Sequence, residues 1–400
     1  MAKSVQAMST NNPSPLPAKK SRIEFVFFDA GGGHRSAATA LQMAVESQGL
    51  PWDVHLFNLQ EALDRLDLMK KISGVRIQDT YNYLLKTGMT LGSKQLMRVL
   101  QFTISVYHRP TVRILTRLWR ESAPDMVVSF VPHFNKALCE SYTRAFPGRP
   151  YVTVLTDLAN YPPRFWLEKQ KQDFICGTER AVKQALDLGH SPDRVFRVSG
   201  MILHPRFYAP ITVDRVAERC ALKLSPDLPT GLVMFGGQGS KVIEQIVDRL
   251  DGSDLDLQLI LICGKNEALA ERLRARKTRI PIFVEGFTTR IPYYMYLSDF
   301  FIGKPGPGSI SEAIAMRLPV IVERNAWTLP QERYNTQWIR EKEVGVVVRN
   351  FLQIVPAVRT LLEGDHLAKF SKNAAALPNN AVFEIPGILQ KILARDTPTQ

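Results

Sequence analysis

The sequence predicts an α/β protein made of two Rossmann-like, doubly wound domains facing a central cleft. Three observations predict it. The chain has 400 residues, 45% of them apolar, which is more than one hydrophobic core usually serves. Continuous apolar runs alternate with helical patterns in two successive series, as buried parallel strands and their crossovers do. Between the two series, Leu203 to Thr230 holds Pro205, Pro210, Pro226 and Pro229 among mixed polar residues and reads as a connection with one short helix.

Taken in order, residues 1–21 are polar, carry three prolines and read as a flexible tail with no secretory signal. Residues 22–205 form the first domain, 206–230 the linker, 231–380 the second domain, and 381–400 a C-terminal helix and tail. The first strand, Ile23 to Phe28, runs into a glycine turn and a helix from about Ser36 to Gln48. Further strands are expected at Asp125 to Phe130, Tyr151 to Leu155, Asp173 to Cys176 and Val195 to Val198. The rhythm restarts at Leu232 to Phe235 and continues through Leu257 to Cys263, Ile282 to Val284, Phe300 to Gly303, Pro319 to Val322 and Val344 to Val348.

Four widely spaced cysteines, Cys139, Cys176, Cys220 and Cys263, give no C-x-x-C pair, which argues against a zinc site or disulfide framework and fits a reducing compartment. No apolar stretch approaches the roughly 18 residues that cross a bilayer, so the expected membrane contact is peripheral. The formal charge of +13 calls for an anionic partner. It is concentrated between Met69 and Arg120, where Lys70, Lys71, Arg76, Lys86, Lys94, Arg98, Arg109, Arg113, Arg117 and Arg120 face a single acidic residue, Asp79. Leu84, Leu85, Met89, Phe102, Val106, Tyr107 and Trp119 interleave with them, so an anionic membrane surface suits this segment better than nucleic acid. A solvated helical face covering its own core gives the same pattern.

Three glycine-bearing turns carry the chemistry. In Asp29-Ala30-Gly31-Gly32-Gly33-His34-Arg35, Gly33 and its neighbours let a ligand approach the backbone, and His34 at a helix start is placed to act as a base. Phe235-Gly236-Gly237-Gln238-Gly239-Ser240 opens the second domain in the same way, with Gly237 and Gln238 free to line a phosphate, and has no P-loop lysine. Both are also compatible with plain tight turns. Gly303-Lys304-Pro305-Gly306-Pro307-Gly308-Ser309-Ile310-Ser311-Glu312-Ala313 presents a helix start where Gly308 and Ser309 suit a diphosphate, with Glu312 placed to take two ribose hydroxyls. Ser309 and Glu312 also have the spacing of a capping box, which needs no ligand. Asp254-Leu255-Asp256 has a metal-chelating spacing but directly precedes a strand pattern and reads as a turn. His133 and Asp157 fall just past strand ends, where cleft residues stand, whereas His55, His108, His190 and His204 have no constellation around them.

Together with Thr156-Asp157-Leu158, Phe165-Trp166, Ser199-Gly200, Pro205, Phe207 and Pro330-Gln331-Glu332, these motifs resemble the monogalactosyldiacylglycerol synthases and the processive diacylglycerol glycosyltransferases, relatives of the peptidoglycan N-acetylglucosaminyltransferase. The resemblance covers nearly the whole chain after Arg22 and implies the GT-B fold. It implies an inverting transfer of a hexose, galactose or glucose or else N-acetylglucosamine, from a UDP-sugar to a lipid acceptor with diacylglycerol leading. No metal or other cofactor is expected. By the same resemblance Glu312 holds the ribose, Gly308 and Ser309 lie against the diphosphate, Gln331 and Glu332 meet the sugar, and Phe287 sits where uracil is read. His34 and Asp157 are the expected catalytic pair, while His133, Trp166, Lys94, Arg98, Arg109 and Arg113 are expected to meet the acceptor or the membrane. The expected location is the cytoplasmic face of a membrane. Departures from the family pattern fall at Asn160-Tyr161-Pro162-Pro163, at Met201-Ile202-Leu203-His204 and at Pro132-His133, on the acceptor side or in the hinge. Two rivals share the frame: a UDP-N-acetylglucosamine 2-epimerase, which needs no lipid-binding segment, and a non-catalytic nucleotide-sugar binder, which needs neither His34 nor Glu312.

Overall fold

A computed structural model describes residues 20–29, 32–64, 101–102 and 104–396. The tail before Lys20, the turn residues Ala30 and Gly31, and the basic positions Lys94 and Arg98 lie outside the described residues.

Two six-stranded, all-parallel sheets follow one another. The first contains β1 (Ser21–Phe27), β2 (Trp52–Asn58), β3 (Met126–Ser129), β4 (Tyr151–Val154), β5 (Asp173–Cys176) and β6 (Val195–Arg197), in the order β2-β1-β3-β4-β5-β6. The second contains β7 (Thr230–Met234), β8 (Gln258–Ile262), β9 (Ile282–Glu285), β10 (Phe300–Gly303), β11 (Val320–Glu323) and β12 (Gly345–Val348), in the order β12-β11-β10-β7-β8-β9. This is the GT-B arrangement. Strand order reverses between β1 and β3 in one sheet and between β7 and β10 in the other, and a doubly wound sheet opens its ligand crevice at that reversal, beyond the carboxyl ends of the strands.

The expected strands agree with these ranges to within two residues, because all-buried strands such as β7 and β8 read as unbroken apolar runs. β2 has no counterpart among the expectations. It is an edge strand whose residues alternate between more and less exposed, so Asp53 and His55 interrupt the run. On the first helix, Gly33–Ser47, small Ala40 and Ala44 admit Val382 of the last helix, Ala381–Asp396. Ile385, Leu389 and Ile392 of that helix enter the core of the first sheet, so the chain's end is built into its N-terminal half. The returning crossover is pinned to the outgoing one: Asn379 Nδ2 donates to Met201 O at 2.9 Å, the Asn380 amide donates to Ser199 Oγ at 2.7 Å, and Ser199 donates its amide to Glu384 at 2.8 Å.

On helix His108–Ser122 the basic face is as expected, with Arg109, Arg113, Arg117 and Arg120 exposed. Trp119 corrects the expectation of an aromatic surface there. It is fully buried, with its indole donating to Ser141 Oγ at 2.9 Å. Phe102 and Val106, just before this helix, are exposed.

Candidate active site

At the reversal of the first sheet, β1 delivers the chain through Gly32, which holds a left-handed φ of 80°, into the helix that begins at Gly33. Asp29 and Arg35 close this turn on each other, Arg35 Nε donating to Asp29 Oδ1 at 2.6 Å, and the guanidinium lies 4.6 Å from the Phe27 ring centre. That pairing holds the Asp29 carboxyl below its usual range. His34 therefore stands on a fixed turn. Its Nδ1 is 3.1 Å from Thr156 Oγ1 beyond β4, and its ring meets Trp166 edge-on at 6.0 Å. Burial pushes the imidazole down to about 4, so at neutral pH it carries no charge. The ring is held by Thr156 and also meets the Phe130 backbone, which opposes the fall.

His133, beyond β3, adopts a left-handed φ of 67° and donates its amide to Phe165 O at 2.5 Å. A residue with a Cβ held there is strained, and such strain gathers at functional sites. Its ring packs edge-on against Phe165 at 4.5 Å, its Nδ1 is buried without a partner, and burial together with nearby His34 brings it to about 4. Asp157 is 8% exposed, and burial raises its carboxyl to about 7. The Trp166 indole donates to Asp157 Oδ2 at 2.8 Å and opposes that rise, while Glu332 from the second domain stands close enough to add to it. Trp166 is itself wholly buried, so the expectation that it meets acceptor or membrane is corrected: it acts by holding Asp157.

At the reversal of the second sheet two glycine turns lie side by side. Gly239 has φ 68°, and a Cβ there would lie 2.2 Å from the Cys263 carbonyl oxygen, so glycine is the residue that fits. Gly237 and Gln238 are exposed at this turn. Helix Pro307–Ala315 starts from Gly306 with no side-chain cap. Ser309 is the third helical residue rather than the cap, so Ser309 and Glu312 do not form the capping box their spacing allows. The amides of Gly308 and Ser309 thus belong to the unsatisfied first turn, with the helix dipole behind them. Glu312, one turn on, is half-buried and raised to about 7 by burial, with Arg206 pulling the other way.

Arg206 and Lys304 are site residues that sequence reasoning passed over. Arg206 donates from Nη1 to Thr289 O at 2.8 Å and from Nε to His204 Nδ1 at 3.0 Å. His204, left without a constellation in the sequence, is the support on which this guanidinium rests. The exposed Lys304 side chain runs between the two glycine turns. Its Cε is 3.5 Å from where a Gly306 Cβ would stand, and Glu332 Oε1 is 3.9 Å from the same point. A lone lysine between a strand end and a Pro-Gly turn was the available signal. Glu332 is raised by burial, with Lys304 opposing, and Gln331 Oε1 is buried without a partner. Phe287 is 61% exposed after β9, with Lys265 Nζ 5.3 Å from its ring centre.

The structure therefore gathers His34, Thr156, His133 and Asp157 at the strand ends of the first sheet and Lys304, Glu332, Gly308, Ser309 and Glu312 at those of the second, with Asp157 and Glu332 close enough to act on each other. Arg109 and Arg113 stand apart on their helix.

Residues 34–201 match the Monogalactosyldiacylglycerol (MGDG) synthase family, and residues 231–349 match the Glycosyltransferase family 28 C-terminal domain. A probable monogalactosyldiacylglycerol synthase 3, chloroplastic, of Oryza sativa subsp. japonica is 33% identical over 373 residues, covering 89% of this chain and 72% of the relative. The monogalactosyldiacylglycerol synthase, chloroplastic, of Spinacia oleracea is 27% identical over 405 residues, covering 94% and 73%. Among solved structures, MurG of Acinetobacter baumannii aligns with a TM-score of 0.60 at 13% identity, covering 93% of this chain and 99% of that one. A Staphylococcus aureus MnaA–UDP co-structure aligns with a TM-score of 0.60 at 15% identity, covering 95% and 99%. At those identities the structural likeness speaks for the fold alone.

Proposed function

This chain belongs to the monogalactosyldiacylglycerol synthase family, and we propose accordingly that it transfers a hexose from a UDP-sugar to the hydroxyl of a lipid, diacylglycerol first among candidates, with inversion at the anomeric carbon. The observation that carries this reading is the uncapped helix start at Gly306–Ser309 in the second domain and an uncharged histidine in the first, with Asp157 and Glu332 near each other across the two domains.

In the proposed donor site the diphosphate lies on the Gly308 and Ser309 amides beside Lys304, and Glu312 takes the ribose hydroxyls. Gln331 and Glu332 face the sugar, Phe287 lies beside the uracil, and Gly237 and Gln238 line the neighbouring turn. Hydrogen-bond donors fixed in place stabilise a leaving group without reorganising, usually the largest electrostatic contribution to catalysis. On the acceptor side the hydroxyl oxygen attacks the anomeric carbon while its proton passes to the His34 imidazole. The bond from that carbon to the UDP oxygen breaks, and its electron pair leaves with the diphosphate. Thr156 orients the imidazole and Asp157 shapes the charge around it. We propose that no chelated metal takes part.

Among the described residues no helix is long and apolar enough to cross a membrane. We propose that the basic face bearing Arg109 and Arg113, with Lys94 and Arg98, docks the enzyme peripherally on an anionic, cytoplasmic membrane face, each charge contributing about 1 kcal/mol near such a surface. Purified protein with anionic vesicles containing diacylglycerol, offered UDP-galactose, UDP-glucose and UDP-N-acetylglucosamine separately with and without EDTA, tests the whole reading. One donor should yield glycolipid, undiminished by EDTA. UDP binding without any lipid product would reject diacylglycerol as the acceptor.

A further inference from the structure

Tyr334 lies in helix Arg333–Glu341 of the second domain, yet its ring is seated in the first. It is 6% exposed and packs in a cluster with Leu158, Tyr161, Phe165, Trp166 and Met201. Arg180 covers it from the first domain, its guanidinium carbon 4.9 Å from the ring centre while Nε donates to Asn160 Oδ1 at 2.7 Å. Tyr334 and Arg180 themselves line a groove of about 940 Å³ that runs between the halves, bounded also by Leu158, Ser311, Trp338 and Asn379. Domains of one chain with open space between them can move against each other.

What surrounds Tyr334 in sequence gives the contact its meaning. Gln331 and Glu332 form the turn that ends two residues before it. Asn335, immediately after it, is buried and donates from Nδ2 to Pro305 O at 2.8 Å, at the start of the proposed diphosphate helix. Residues 331–335 thus join the sugar-facing turn, the first domain and the Pro305 turn in one short, rigid stretch. The seated ring and the approach of Glu332 to Asp157 therefore belong to one rigid stretch of chain.

We propose that Tyr334 is a positioning residue, an interdomain latch whose docking under Arg180 closes the cleft and sets Glu332 and the Pro305 turn against His34 and Asp157. This rests on the transferase reading above. Misplacing reacting groups by about 1 Å can cost about 100-fold in rate, so the latch should act on turnover more than on nucleotide affinity.

The test uses the full chain and the variants Tyr334→Ala, Tyr334→Phe and Arg180→Ala, with glycolipid turnover, UDP titration calorimetry and small-angle scattering in saturating UDP. Tyr334→Ala should lose about 10- to 100-fold in kcat, keep its UDP Kd within about threefold, and scatter as a more open particle. Tyr334→Phe, which keeps the ring, should behave as the unaltered protein. Arg180→Ala, a change at an exposed position, should shift kcat and scattering in the same direction by less. Unaltered kcat in Tyr334→Ala, or a loss with unchanged scattering and UDP affinity lost in parallel, overturns the latch. If Tyr334→Ala fails to fold, unchanged kcat and scattering in Arg180→Ala overturn it instead. If the unaltered protein makes no glycolipid, diacylglycerol falls as the acceptor while scattering still decides the latch.

Discussion

Asp157→Asn should make the protein more stable and less active, and the stability gain should depend on pH in one direction. The Asp157 carboxyl goes from its ordinary 3.8 to about 7 on folding, driven first by burial. Because one pKa unit is 1.36 kcal/mol, ionising it in the folded protein costs about 4 kcal/mol, an upper figure for a side chain 8% exposed. The folded state keeps this proton up to about pH 7, whereas the unfolded chain releases it near 3.8. The cost is absent below that lower value, grows as pH rises between the two, and is complete above about 7. Asparagine fills the same volume, accepts the Trp166 indole hydrogen bond through its own oxygen, and has no charge to bury. Thermal unfolding at pH 4.5 and pH 8.5 should then show the variant ahead by only about 1 kcal/mol at the lower pH, which lies less than one unit above the unfolded value. At the higher pH the variant's first transition should be several degrees higher, at roughly 2 °C per kcal/mol for a chain of this size. Turnover at pH 8 should fall at the same time, the exchange of stability for function common at strained sites. A stability difference that is the same at both pH values would refute the argument, since it would locate the effect in packing rather than ionisation.

Three further outcomes follow from the site. His34→Ala should lower kcat about 100-fold or more with UDP binding unchanged, and the unaltered enzyme's pH profile should show no inflection near 6.5 from this residue, because its imidazole is already neutral down to about 4. Gly239→Ala places a methyl group against the Cys263 carbonyl at a left-handed φ and should destabilise the second domain by on the order of 1–3 kcal/mol, read as a lower denaturant midpoint. Arg109→Glu with Arg113→Glu should weaken sedimentation with anionic vesicles at least tenfold at low salt, with the difference shrinking near 1 M salt, where screening acts within about 3 Å.

Much of the frame is written locally. An unbroken apolar run such as the one that becomes β8 announces a strand buried on both faces, and glycine followed by a helical pattern announces the turn beyond it. The positions of His34, Asp157 and Glu312 at strand ends or helix starts were therefore readable, since chain order alone places them there. β2 was not, because a half-exposed edge strand keeps polar residues such as Asp53 and His55 and breaks the run.

What the sequence by itself determined is thus the α/β rhythm, the two domains in series and the three glycine turns between strand and helix. The tertiary structure alone decided which residues meet across those turns. It buried Trp166 behind Asp157, placed Trp119 in the core instead of on the basic face, set Arg206 on His204, and folded the last helix onto the first domain. The reason is physical: periodicity along a chain reports how much each residue is buried, whereas the partner that buries it, as far away as Asn379 from Met201, is selected by packing in three dimensions.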